Sequence, residues 1–289
     1  MKFVLFDDFK PGILNDDQVF DISSLLSGVD FARHPRDTVQ QLISRCEELK
    51  PRMTAMIAQS SGVPLASVRL RQPSPDPQQL LCAAKNYKDG HETPRVDFFL
   101  KAQQTIIGPN DMIELPPIDA KVFNAEPELA VIIKKPAQNV SAANAMDYVF
   151  GYTCFLDVSA RKVSPTYYIH KSFWTFGPIG PHIVTADEIP DPHNLRIRLW
   201  VDNDLRQDFS TSLMANRIER LIEVASSVCP LQPGDVIPTG THHIGLGPIQ
   251  DGETVTIEIE RVGRMSVKVR DPRKRTWEKP LPHTAGMTV

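Results

Sequence analysis

Residues 123–133 read FNAEPELAVII and residues 152–161 read YTCFLDVSAR, two apolar β-patterned runs interrupted only by acids. In the first run Glu126 and Glu128 are two apart, so the period-2 alternation of a strand puts both side chains on one face. Two acids side by side next to LAVII repel each other and are costly to bury, unless a cation neutralises them or that face is open to water. In the second run the apolar stretch YTCFL ends on Asp157. Three carboxylates, with no histidine or cysteine in the set, favour a hard, oxygen-preferring ion: Mg²⁺ or Mn²⁺, with Ca²⁺ also fitting, over Zn²⁺.

Working outward from these runs, the chain stays strand-rich. IIGP-ND-MIEL, RIRLWV-DND-LRQDF, PGDVIPTG, ETVTIEIE and RMSVKV arrive at short intervals with turn residues between them. Two helices interrupt this pattern: a short one from Ser141, and one from about Leu213 to Val228 with Ile218, Leu221, Ile222, Ala225 and Val228 on one face. Many strands and few helices predict an α+β, mainly β fold, with a barrel-like or rolled sheet instead of a doubly wound one. Upstream, KFVLF, GILN and VFDIS suggest a small meander. A helix then follows, N-capped at Asp37 with Gln40 in the capping-box position and ended or kinked at Pro51. The proline-rich RQPSPDPQQ reads as a connector. Three regions result: residues 1–70 as a small N-terminal α+β domain, 71–272 as the main strand-rich domain, and 273–289 as a charged tail that wraps a surface or a second subunit, or stays disordered.

Composition narrows the function. The 289 residues are 41% hydrophobic, and Lys+Arg 32 against Asp+Glu 35 gives a net charge of −3. No global basic field exists to hold nucleic acid or an anionic membrane, so the expected partner is a small molecule. Cys46, Cys82, Cys154 and Cys229 are scattered among apolar neighbours, as buried free thiols are in a reducing compartment. The N-terminus lacks a signal-peptide pattern and no run is long enough to span a bilayer, which together predict a cytoplasmic protein.

Further residues could carry chemistry. Lys171, in HKSFWTFGPIGP, either snorkels among Phe173, Trp174 and Phe176 or, if it faces the acids, is a fixed cation for a developing enolate. Thr241 follows Thr239-Gly240 at the end of a strand and enters a glycine loop able to offer N–H groups and a hydroxyl to a carboxylate. His242 and His243 read as loop surface. In AAKNYKDGHETPRVDFFLKA, His91 with Glu92 is a candidate general base, and Lys101 closes an aromatic strand.

These pieces together, KNYKDG, FFLK, IIGPND, EPELAVII, FGYTCFLDVSAR, KSFWTFGPIGP, LQPGDVIPTGT and the final glycine hairpin, resemble the fumarylacetoacetate hydrolase family in order and over nearly the whole chain. The resemblance implies a mixed β-roll catalytic domain, usually a homodimer, with a divalent metal on Glu126, Glu128 and Asp157. It also implies that Lys171 and the Thr241 loop help hold the 2-oxo acid end of the substrate, with Tyr87, Lys101 and Arg161 as further substrate-binding residues. The family's N-Y-x-x-H position is Gly90 here, with the histidine one residue later at His91, and the position that often carries a glutamine after D-x-x-A-R is Ser164. The leading expectation is a hydrolase cleaving an acylpyruvate-like 1,3-dicarbonyl acid in aromatic catabolism, with His91 and Glu92 activating water. An isomerase or decarboxylase of 2-oxo diacids on the same scaffold comes second, and a catalytically silent binder of metal and oxo acid third.

Overall fold

A computed structural model of the chain describes residues 1–26, 28–88 and 95–279. Its centre is the antiparallel pair Val122–Ile133 and Val149–Arg161, matched residue for residue from Val122↔Arg161 to Ile132↔Gly151. Both strands are buried on both faces from Phe123 to Ile133 and from Val149 to Ala160, which is why they read as nearly continuous apolar runs. One face of the pair, with Ala125, Leu129, Val131, Leu156 and Val158, packs in a core with Ile197, Leu199, Ile257 and Val267. The opposite face, with Ala130, Ile132 and Phe155, meets a second core built from Leu42, Ile43, Leu49 and Met53.

Two larger sheets are built around this pair. Among the described residues, ten strands form the first, in the order Val236–Pro238, Val122–Ile133, Val149–Arg161, Gly177–Thr185, Lys2–Phe6, Lys10–Asn15, Gln18–Asp21 and Val63–Pro64, with Leu70–Arg71 and Ile106–Ile107 attached at the side. The N-terminal meander therefore continues the main sheet through Lys2↔Val184 and Phe3↔Ile183. The second sheet, of five strands, holds the two expected hairpins, Arg196–Val201 with Asp204–Ser210 and Thr254–Ile259 with Gly263–Arg270, and adds Met112–Glu114 in parallel. Sheet outweighs helix, as the strand spacing predicts. The tail residues Asp271–Lys279 wrap this surface: Arg275 binds Asp271 and the carbonyls of Pro116 and Ile118, and Trp277 packs edge-on to Phe123.

Several local expectations are corrected. Helix α1 spans Pro35–Gln59 and runs through Pro51. It starts after His34 with Pro35 in its first turn, so Asp37 is a first-turn acid and not the cap. The bond that Pro51 deletes belongs to the carbonyl of Glu47, which is on the solvent side, and water can replace it. The segment after Ser141 is a 3₁₀ helix, Ala142–Tyr148. After the short helix α2, Tyr167–Lys171, the last helix, α3, begins only at Ile218 and ends at Val228, because Ala215 and Asn216 are drawn into hydrogen bonds with Asn86. Cys46, Cys82 and Cys154 are buried free thiols as expected, whereas Cys229, just past the end of α3, is exposed.

Candidate functional site

The site follows from the register of the central pair. Glu126 faces Asp157 directly across the ladder, and Glu128 faces Phe155, so Asp157 joins the two glutamates on the face that their spacing gives them. They are 3%, 2% and 1% exposed. One carboxylate oxygen from each lies within 4.8 Å of the others.

Three cations surround them. Lys171, carried on α2, places its Nζ 2.6 Å from Glu126 Oε2 and 2.5 Å from Asp157 Oδ2, so it faces the acids and does not snorkel. Lys101 Nζ donates to Asp157 Oδ1 at 2.7 Å and to the Val158 carbonyl at 3.2 Å. Arg161, four residues beyond Asp157 and on the same face, donates through Nη2 to Glu126 and through Nε to Asn124 Oδ1. Burial alone would raise the Asp157 pKa, but Lys101 and Lys171 outweigh it and hold the carboxyl below its usual value. Glu128 has a different environment. Its Oε2 accepts the backbone N–H of Gly240 at 2.7 Å, and burial followed by repulsion from Asp157 pushes its pKa up to about 8. Glu126 and Asp157 are each paired directly with cationic side chains, whereas Glu128 is held by a backbone N–H, so its carboxylate is the one that gains most from an added cation. The donor set fits a hard divalent ion: three buried carboxylates converge, and an ammonium already bridges two of them. Cys82 lies close by, but burial and the charges of Asp157 and Glu128 push its thiol pKa well up, so it offers no soft thiolate.

The wall opposite comes from residues 84–88 and 236–241. Tyr87 is buried edge-on against Phe209 at 5.3 Å, and burial with the nearby Glu128 keeps its phenol protonated. Thr241 is buried at the entry of the glycine loop. Sequence reasoning misses Asn86 and Gly240. Asn86 Nδ2 donates to the carbonyls of Thr239 (2.9 Å) and Asn216 (3.0 Å), and its Oδ1 accepts the Asn216 N–H. This holds Thr239-Gly240 so that the Gly240 N–H points at Glu128. Gly240 adopts φ +86° and packs against Asn86, a conformation open to glycine; the Asn-Tyr pair and the T-G-T run were the available signals. His91 and Glu92 lie outside the described residues.

A two-faced β-roll with a buried acid cluster beside a lysine is the architecture of a metal-site enzyme scaffold, and the match of residues 78–270 to the C-terminal domain of fumarylacetoacetate hydrolase gives the class its name. The chain belongs to the fumarylacetoacetate hydrolase family. It is 31% identical to the maleylpyruvate hydrolase of Aquipseudomonas alcaligenes over 93% of this chain and 99% of that protein. A crystal structure of maleylpyruvate hydrolase from Sphingobium sp. SYK-6 in complex with manganese(II) and pyruvate superposes with a TM-score of 0.87 at 37% identity, covering 94% of this chain and 99% of that one. The 5-carboxymethyl-2-hydroxymuconate delta-isomerase of Mycobacterium smegmatis superposes with a TM-score of 0.68 at 40% identity, covering 73% and 83%.

Proposed function

We propose that this chain is a divalent-metal-dependent hydrolase that cleaves the carbon–carbon bond of an acylpyruvate, with Glu126, Glu128 and Asp157 as the ligands of Mn²⁺ or Mg²⁺. The observation that carries this reading is the buried convergence of the three acids with Lys171 across two of them. The near full-length likeness to maleylpyruvate hydrolases supports the choice of reaction. When bound, a divalent ion supplies a Lewis acid that polarises a keto oxygen and fixes the orientation of a 2-oxo acid.

The protein groups do the rest. Water adds to the acyl carbonyl, the bond to the pyruvyl CH₂ breaks, and its electron pair becomes the pyruvate enolate, which takes a proton to give pyruvate while the acyl group leaves as a carboxylic acid. Lys171 stabilises the enolate charge as it develops, because its ammonium is already fixed in a water-poor site. Thr241 and the N–H groups of its loop, Tyr87 and the rim residue Arg161 hold the substrate. Lys101, engaged by Asp157 and the Val158 carbonyl, orients that ligand. His91, with Glu92, is the base that takes the proton from water. The working unit is a homodimer in the cytoplasm; among the described residues, no helix is long and apolar enough to cross a membrane.

A second reading, isomerisation or decarboxylation of a 2-oxo diacid, needs the enolate but no nucleophilic water, and the isomerase likeness favours it. Turnover of the Mn²⁺- or Mg²⁺-loaded protein with acylpyruvates, oxaloacetate and unsaturated 2-oxo diacids in ¹⁸O-labelled water separates the two. Label in the released acyl acid means hydrolysis, and an isomerised product or release of CO₂ without an acyl acid means the second reading.

A further inference from the structure

Helix α2 presents three residues to the interior. Tyr167, His170 and Lys171 are spaced three and four apart from the first, which sets them on one side, while Tyr168 and Ile169 are 66% and 47% exposed. Lys171 is engaged with the acids. Tyr167 is sandwiched, with its ring 4.8 Å from that of Phe99 and 5.7 Å from that of His170, both stacked. The imidazole of His170 is therefore held in place, yet its Nε2 is buried with no hydrogen-bond partner. A buried polar atom without a partner calls for an explanation, and a ligand group that arrives there is one.

The electrostatics say what kind of group that is. Burial, then the charges of Lys171 and Arg161, hold the imidazole below its usual pKa, with Asp157 opposing and Lys101 adding to the effect. Cations therefore prevail around the ring, a place that attracts an anion. Arg161 reinforces this, since its side chain is 31% exposed at the rim and spans Glu126 and Asn124. Charge counting over the whole centre agrees. Glu126, Glu128 and Asp157 cancel Lys101, Lys171 and Arg161, so a divalent ion leaves two positive charges for a dianionic substrate to match.

We propose that His170, in the field of Arg161 and Lys171, is a specificity-determining residue whose Nε2 receives a second carboxylate, carried on the acyl arm of a 2-oxo diacid. This rests on the reading of the centre as a site for metal and 2-oxo acid. The test measures binding, not turnover. Calorimetry on the Mn²⁺-loaded protein compares 2-oxoheptanedioate, which lacks the second keto group and cannot be cleaved, with 2-oxoheptanoate, its equal in chain length without the distal carboxylate. The diacid is expected to bind at least tenfold more tightly. His170→Phe, which keeps the stack on Tyr167 and deletes both nitrogens, should erase most of that ratio while leaving the monoacid and Mn²⁺ affinities unchanged; His170→Gln, which restores a side-chain N–H, should recover part of it. Equal binding of the two acids by the unaltered protein, or an undiminished ratio in His170→Phe, overturns the subsite alone. Failure of both acids to bind overturns the reading of the centre and the subsite with it.

Discussion

Asp157 is the residue on which the centre turns, because it binds both lysines and faces Glu126 across the ladder. Asp157→Asn removes a charged oxygen from an attraction that is chiefly electrostatic. Calorimetric titration with Mn²⁺ should show most of the affinity gone, and unchanged affinity would remove Asp157 from the ligand set. Lys171→Met makes a two-sided prediction. It leaves Glu126 and Asp157 with less compensation in a buried site, and breaking such a pair costs about 3–5 kcal/mol, so the metal-free variant should melt well below the parent. Mn²⁺ should then raise its melting temperature more than it raises the parent's, while kcat falls by about 100-fold for want of the enolate-stabilising charge. A metal-loaded variant with parental kcat would make Lys171 purely structural. Residue by residue, the acids were legible because a period of two is fixed by strand geometry. The partners of Lys101 and Arg161 were not, because they lie 56 and 35 residues away along the chain.

Elements matter through what they bring to the acids. The strand Val236–Pro238 pairs with the central strand at Ala130↔Pro238, and it delivers Gly240 to Glu128. Gly240→Ala would force a side chain into φ +86°, with its Cβ about 3.1 Å from that of Asn86. The left-handed conformation costs about 1–2 kcal/mol, and relief by a shift of the turn would swing the N–H away from Glu128. The expected outcome is weaker Mn²⁺ binding with a modest fall in melting temperature; intact metal affinity would show that this N–H contributes nothing to the ligand. At this scale the hairpins were readable from their turn residues, and Asp202 indeed sits at positive φ in one of them. The late start of α3 was not. Its first residues are satisfied from elsewhere, with Asn86 taking Asn216 and the His193 ring accepting the Ile218 N–H at 3.2 Å.

Across the whole molecule, acid stability should carry the signature of His182. The strand Gly177–Thr185 buries this ring, its Nε2 bonds the Val262 carbonyl at 2.7 Å, and its Nδ1 has no partner. Burial lowers its pKa from about 6.5 to about 4. Because the folded value lies below the unfolded one, the unfolded chain takes up the proton first as pH falls. Stability is therefore whole above about pH 6.5, is lost between about 6.5 and 4, and falls no further from this group below that. The loss amounts to about 3 kcal/mol at 1.36 kcal/mol per pH unit. Thermal unfolding of His182→Gln, which keeps a donor for Val262, should be flatter with pH over that window than the parent; parallel curves would acquit His182.

The sequence by itself determined the strand-rich class, the family, and the two glutamates on one face, because side-chain alternation and turn chemistry are local properties that survive without knowledge of the fold. It determined that Lys171 was a cation near aromatic rings, but not which way it pointed. Tertiary structure decided that. Burial of both faces of the central pair forces Glu126, Glu128 and Asp157 into a low-dielectric interior, where they recruit Lys101, Lys171, Arg161 and the Gly240 N–H from four separate parts of the chain. Ionic partnership depends on distance in space, and only the packed sheets bring those groups within reach.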